Sequence, residues 1–184
     1  MSDSIIEIPR ELFAIAGSSS FEGRLDPQTI DAGPDSYVFD EPLAWQVDIS
    51  NTGDALLVDG RVEGRGRTRC ARCLDDMSIE VKGHVEGYFV LPEADEPEDR
   101  DDDEFERLPD SNTIDVEPLC RAAVLVEMPL VPLCREDCKG LCPDCGINLN
   151  EETCGCAAKR AAELAEEEDR LNPFAALKGL DLED

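Results

Sequence analysis

Nine cysteines, at positions 70, 73, 120, 134, 138, 142, 145, 154 and 156, are the residues of this sequence whose type and spacing best suit chemistry. Cys142-Pro-Asp-Cys145-Gly146 has the form of a zinc knuckle. Two thiolates at that spacing reach one tetrahedral ion, and the glycine lets the chain turn so that backbone N–H groups face the sulfurs. Cys154-Gly-Cys156 can close this site from across a short loop, although a single intervening residue is tight and one of the pair could be spare. Cys70-Ala-Arg-Cys73 is a second knuckle, which Cys134 and Cys138 complete if the chain turns back through 129–133. The expected partition is Cys70, Cys73, Cys134 and Cys138 for one ion, and Cys142, Cys145, Cys154 and Cys156 for another. One or two structural zinc ions are thus expected, with an iron–sulfur cluster as the alternative. Cys120, on an apolar segment, is left over as a small buried thiol.

Four thiolates around an ion leave no open coordination position, so such a site stabilises a short segment rather than catalysing. A thioredoxin-like role for Cys70 and Cys73 would place them where a helix N-terminus lowers the thiol pKa, but here they fall between two strand patterns. The lone His84 lies on the even, solvent-facing side of its strand pattern. No Ser/His/Asp set, phosphate-cradling loop or distinct acid/base pair stands out. An enzyme is not expected, and no small-molecule substrate is implied.

Several elements must position these cysteines. In residues 43–49 Leu43, Trp45, Val47 and Ile49 share one face, which is strand periodicity. Residues 55–69 read as a longer strand, with Gly60, Gly64 and Gly66 marking bulges or close backbone approach. Residues 77–91 are the clearest strand, apolar on the odd positions Met77, Ile79, Val81, Val85, Phe89 and Leu91. The first knuckle then occupies a hairpin turn. Residues 5–8 and 19–25 add short strands. Residues 92–110, with 11 acidic and 2 basic side chains, read as a flexible acidic loop. Residues 116–128 are apolar almost all round, so a buried helix against the sheet is expected, N-capped by Asp115 with Pro118 in its first turn. Helix formers fill 157–170, and a last short helix is expected from Pro173 to about Leu180. The fold class is α+β. An antiparallel sheet or partly open barrel with its helix spans 1–133, and a zinc-ribbon-like, cysteine-rich module with C-terminal helices spans 134–184.

The formal charge of −27, from 44 acidic against 17 basic residues, opposes nonspecific binding of nucleic acid and favours a basic partner. A surface solvated for high salt is the competing reading, since only four of the basic residues are Lys. The N-terminal stretch lacks a basic n-region and a sustained apolar core, and no segment is long and apolar enough to span a bilayer. A cytoplasmic protein with no membrane partner is therefore expected, and a reducing compartment favours metal over disulfides.

Read in order, the sequence gives CARCL at 70–74, an acidic stretch, Ile114-Asp115-Val116, PLVPLC at 129–134 and CKGLCPDCGINLN at 138–150. Cys154-Gly-Cys156 and Asn172-Pro-Phe-Ala-Ala-Leu177 follow. This pattern resembles the YceD-like family of bacteria and plastids, the large ribosomal RNA subunit accumulation proteins. The resemblance implies a role in the synthesis, processing or stability of large-subunit ribosomal RNA and assigns no catalytic residue. Given that role, a basic ribosomal protein of the large subunit is the favoured partner, because the net charge repels RNA, with precursor ribosomal RNA as the other possibility. A zinc-stabilised structural or metal-storage protein with no ribosomal role is the rival reading, and a thiol-redox protein using Cys70 and Cys73 the more distant one. The local basic cluster is Arg61, Arg65, Arg67, Arg69 and Arg72. Arg61, Arg65, Arg67 and Arg69 share one strand face and could form a cationic ribbon that touches RNA or a partner, or simply keep an edge strand soluble.

Overall fold

The computed structural model describes residues 3–92 and 106–171. The core of the expected acidic loop, 93–105, and the expected helix after Pro173 lie outside the described residues. The fold is α+β, with a mostly antiparallel sheet. Two compact units emerge. One joins Met1–Arg69 to Asp76–Pro132, and the other joins Cys70–Asp75 to Leu133–Asp184. The hairpin turn thus groups with the C-terminal residues, because its cysteines gather with theirs.

The first unit is built on β1 (Ile5–Glu7), β2 (Ser18–Leu25), β3 (Thr29–Ala32), β4 (Asp35–Val38), β5 (Leu43–Asn51), β6 (Ala55–Arg69), β7 (Asp76–Val90), β8 (Glu106–Arg107), β9 (Thr113–Asp115) and α1 (Glu117–Glu127). Its centre is the antiparallel pair β6–β7, in unbroken register from Ala55↔Val90 to Arg69↔Asp76. The other edge of β6 takes β5 along most of its length and β4 near its end, at Val38↔Arg67. No pairing joins β2 to β3 at the ends of the sheet path, so among the described residues the sheet is open rather than a closed barrel. β1 pairs with β9 in a separate two-stranded ladder.

Alternation decides which side of the hairpin is buried. Val58 and Val62 on β6, with Val81, Val85 and Phe89 on β7, enter the core. Leu43, Trp45, Val47 and Ile49 of β5 join them, together with Tyr37 of β4. The glycines of β6 serve close approach and make no bulge: a Cβ on Gly60 would lie 2.2 Å from the Gln46 carbonyl oxygen. Gly83 of β7 does the same for the helix, since a Cβ there would lie 2.7 Å from the Ala123 backbone. A methyl at Gly83 would push α1 off the sheet.

Three expectations are corrected. Helix α1 buries only one face, with Cys120, Ala123 and Val124, while Val126 is 82% exposed. A helix lying on one face of a sheet has no second layer to cover its outer side. Its N-cap is Val116, and Asp115 acts from one residue earlier, its Oδ1 accepting the Glu117 N–H at 3.0 Å. The acidic segment stops short of residue 110: β8 pairs in parallel with the end of β7, and Leu108 is buried. The β3–β4 hairpin escaped the pattern reading, although Gly33 (φ +63°) before Pro34 marks its turn and Ile30 faces Tyr37 across it.

Candidate metal centres and the outer face of the hairpin

In the second unit the chain makes the same turn twice. In the first knuckle Cys70 N–H donates to Asp75 O (2.9 Å) and Leu74 N–H donates to Cys70 O (2.9 Å). In the second knuckle Cys142 N–H donates to Ile147 O and Gly146 N–H to Cys142 O, both at 2.8 Å. The residue after the second cysteine is left-handed in each, Leu74 at φ +63° and Gly146 at φ +74°. That conformation turns successive N–H groups inward. Those of Arg72 and Cys73 face the Cys70 sulfur, and those of Asp144 and Cys145 face the Cys142 sulfur.

These turns bring eight thiols into two groups of four. The sulfurs of Cys70, Cys73, Cys134 and Cys138 all lie within 4.8 Å of one another, as do those of Cys142, Cys145, Cys154 and Cys156. All nine cysteines are free thiols. Cys70 and Cys138 sulfurs are 3.8 Å apart, and those of Cys73 and Cys134 are 3.6 Å apart. A tetrahedral ion with metal–sulfur bonds of about 2.3 Å has edges of about 3.8 Å. A disulfide would need about 2.0 Å. The first group therefore has the dimensions of a tetrahedral thiolate cage, and both donor sets could hold a metal ion.

Electrostatics favour thiolate at the founding cysteine of each turn. Burial pushes the Cys70 thiol up, but the N–H groups of Cys73, Cys134 and Arg72 outweigh it and bring it down to about 6. The N–H groups of Cys145 and Asp144 bring Cys142 down to about 7. Cys156 is pushed up to about 12, first by its hydrogen bond with Cys145, so an arriving ion has to displace that proton.

Two asparagines that pattern reading gave no role tie this unit together. Asn150 donates from Nδ2 to the Cys138 sulfur (3.4 Å), and its Oδ1 accepts the Lys139 N–H (2.8 Å). Asn148 donates to Asp75 Oδ2 (3.2 Å) and accepts the Asn150 N–H (3.1 Å). The signal was there: an Asn-x-Asn pair directly after a knuckle carries side chains that bond neighbouring backbone. Arg72 also belongs to this unit, where its guanidinium donates to the Cys138 carbonyl (2.9 Å). The other four arginines of the cluster belong to β6, in the first unit. Helix α2 (Cys156–Leu171) starts on a ligand candidate, and Arg160 in its second turn pairs with Asp144 of the knuckle.

Cys120 lies in the first unit, fully buried in α1. Burial, then the charges of Asp115 and Glu117, push its thiol up to about 12. It is an inert core thiol.

The four remaining arginines lie on the outer face of β6, each engaged. Arg61 bonds Gln46 (2.9 Å), Arg65 pairs with Glu80 (3.1 Å) and Arg69 with Asp76 (3.4 Å). Arg67 grips Asp40 through Nε and an Nη at 2.7 Å, and this hydrogen bond holds the Asp40 carboxyl below the usual carboxylate range. The face is one of interleaved opposite charges rather than a bare cationic ribbon. Among the described residues no helix is long and apolar enough to cross a membrane.

Comparison with known proteins adds a family. A family model described as "Large ribosomal RNA subunit accumulation protein YceD" matches residues 58–181, more than half of the chain. An uncharacterized protein of Mycobacterium tuberculosis is 36% identical over 104 residues, covering 56% of this chain and 50% of that protein. One of Mycobacterium leprae, also uncharacterized, is 28% identical over 135 residues, covering 73% of this chain and 57% of that one. The chain thus aligns with only about half the length of these relatives. No solved structure matches.

Proposed function

The chain belongs to the large ribosomal RNA subunit accumulation protein YceD family, and on that premise we propose that it is a non-enzymatic factor in large-subunit assembly that binds a basic protein of that subunit. The family name carries a role in accumulation of large-subunit ribosomal RNA. The choice of a protein partner rests on one observation: the outer arginines of β6 are already engaged, three of them by carboxylates, in a chain of net charge −27. A polyanion would meet long-range repulsion and would have to compete with those partners. A basic protein meets attraction instead. The closed four-sulfur donor sets support zinc in a structural role, holding a unit whose described residues add none to the hydrophobic core cluster.

The test is affinity capture of the tagged chain from cells at moderate salt, scored for ribosomal proteins and for precursor RNA. The expected result is a basic large-subunit protein that survives nuclease treatment and is released as salt rises. Direct RNA binding that is lost when Arg61, Arg65, Arg67 and Arg69 are replaced by Ser would put RNA in the partner's place. Recovery of neither would sink the assembly role.

A further inference from the structure

The outer face of the β6–β7 hairpin holds a second kind of donor set. Asp59 and Glu86 are direct cross-strand partners, and His84 lies two residues from Glu86 on the same face. Nε2 of His84 is 3.3 Å from Asp59 Oδ2 and 3.0 Å from Glu86 Oε1. The three ligand atoms lie within 4.8 Å of one another. Two carboxylates directly opposite on paired strands repel, and the charge of −27 adds to the cost. A cation between them relieves it. Arg61, directly across from His84, could have supplied one, but its guanidinium donates to Gln46 on β5. The imidazole nitrogen sits between the carboxylates instead. When unprotonated, that nitrogen offers its lone pair to an ion that both carboxylates can share.

The spacing suits such an ion. Bonds of about 2.0–2.2 Å to nitrogen and oxygen give ligand–ligand edges of roughly 2.9 Å in an octahedron and roughly 3.4 Å in a tetrahedron. Both nitrogen–oxygen distances fall in that interval. The scaffold is firm, because all three residues sit well inside the longest ladder of the sheet.

We propose that Asp59, His84 and Glu86 form a third metal site, for a divalent transition ion such as Zn²⁺. All three side chains are more than half exposed, so the ion exchanges with solvent. Three protein ligands leave at least one position for water. The imidazole–carboxylate set is harder than the thiolate cages, so it takes an additional ion rather than drawing theirs.

His84 is the chain's single histidine, so its imidazole Cε1–H and Cδ2–H signals report this site alone. The experiment titrates the full chain, thiolate cages already filled, with ZnCl₂ under NMR observation. The expected result is a saturable shift of both signals with one further equivalent of Zn²⁺. His84→Ala should lose that equivalent, and Asp59→Asn or Glu86→Gln should weaken it by at least about tenfold. Cage metal content and the far-UV spectrum should stay unchanged in each variant. Imidazole signals that ignore a large excess of Zn²⁺ would leave the triad as plain ion pairs and overturn the proposal. So would a further equivalent bound equally well by His84→Ala, which would mark diffuse binding to the acidic surface.

Discussion

Asn150 is the side chain outside the ligand set on which the first cage leans most directly, through its N–H contact with the Cys138 sulfur. Asn150→Ala should lower metal affinity at Cys70, Cys73, Cys134 and Cys138 by about 10- to 100-fold, as loss of an outer-shell partner does. Competition with a chromophoric chelator would read this as one ion released early while the other stays. Cys120 behaves in the opposite way to the ligands. Its folded thiol sits at about 12 against an ordinary 9.0, so the stability it contributes is fully present below about pH 9. That contribution is lost as the pH rises towards 12, and Cys120→Ala should show a shallower loss of stability across this alkaline range in denaturant titrations. The isolated position of Cys120 on an apolar segment already marked it as a core thiol. The part played by Asn150 was not legible, because it depends on a fold-back that brings residue 150 beside residue 138.

At the scale of elements, the two knuckles share their hydrogen bonds but differ in the residue that carries the positive φ. Leu74 adopts it with a side chain, and the residue is more than half exposed, so little packing offsets the strain. Leu74→Gly should be neutral to stabilising by up to about 1 kcal/mol, the relieved strain exceeding the entropy a glycine adds to the unfolded chain. Gly146→Val, placing a β-branched residue at φ +74°, should destabilise the second knuckle by about 1–2 kcal/mol. Thermal melts of the metal-loaded variants would read both. Strands β5, β6 and β7 were legible because alternation over many residues fixes both a strand and its buried face. Helix α1 was legible as a helix but misjudged in burial. Its composition does not reveal that the sheet offers only one surface to pack against, which leaves Val126 in solvent. The short strands β4 and β8 owe their places in the sheet to distant neighbours such as Arg67 and Phe89, and no local period announces that.

At the scale of the whole molecule, every residue of the hydrophobic core cluster belongs to the unit of Met1–Arg69 and Asp76–Pro132. The described residues of the other unit have their thiols instead. Chelation at neutral pH should therefore unfold the cysteine-rich unit and leave the sheet standing. Circular dichroism should keep its β signal while protease cuts appear selectively after Leu133. The surface was legible in sign but not in arrangement. Composition announces −27, while the pairing of Arg65, Arg67 and Arg69 with acids on neighbouring segments exists only once the strands are in register. The two donor sets make eight cysteines the walls of two closed thiolate cages, with the ninth taking no part. Metal analysis of the dialysed native chain, paired with thiol titration, tests it most directly. Two tightly held ions, no reactive thiol in the native state and nine thiols after denaturation with a chelator are expected. A folded chain with no tightly held ion and eight freely reactive cysteines, or one whose cysteines pair as disulfides, would contradict it.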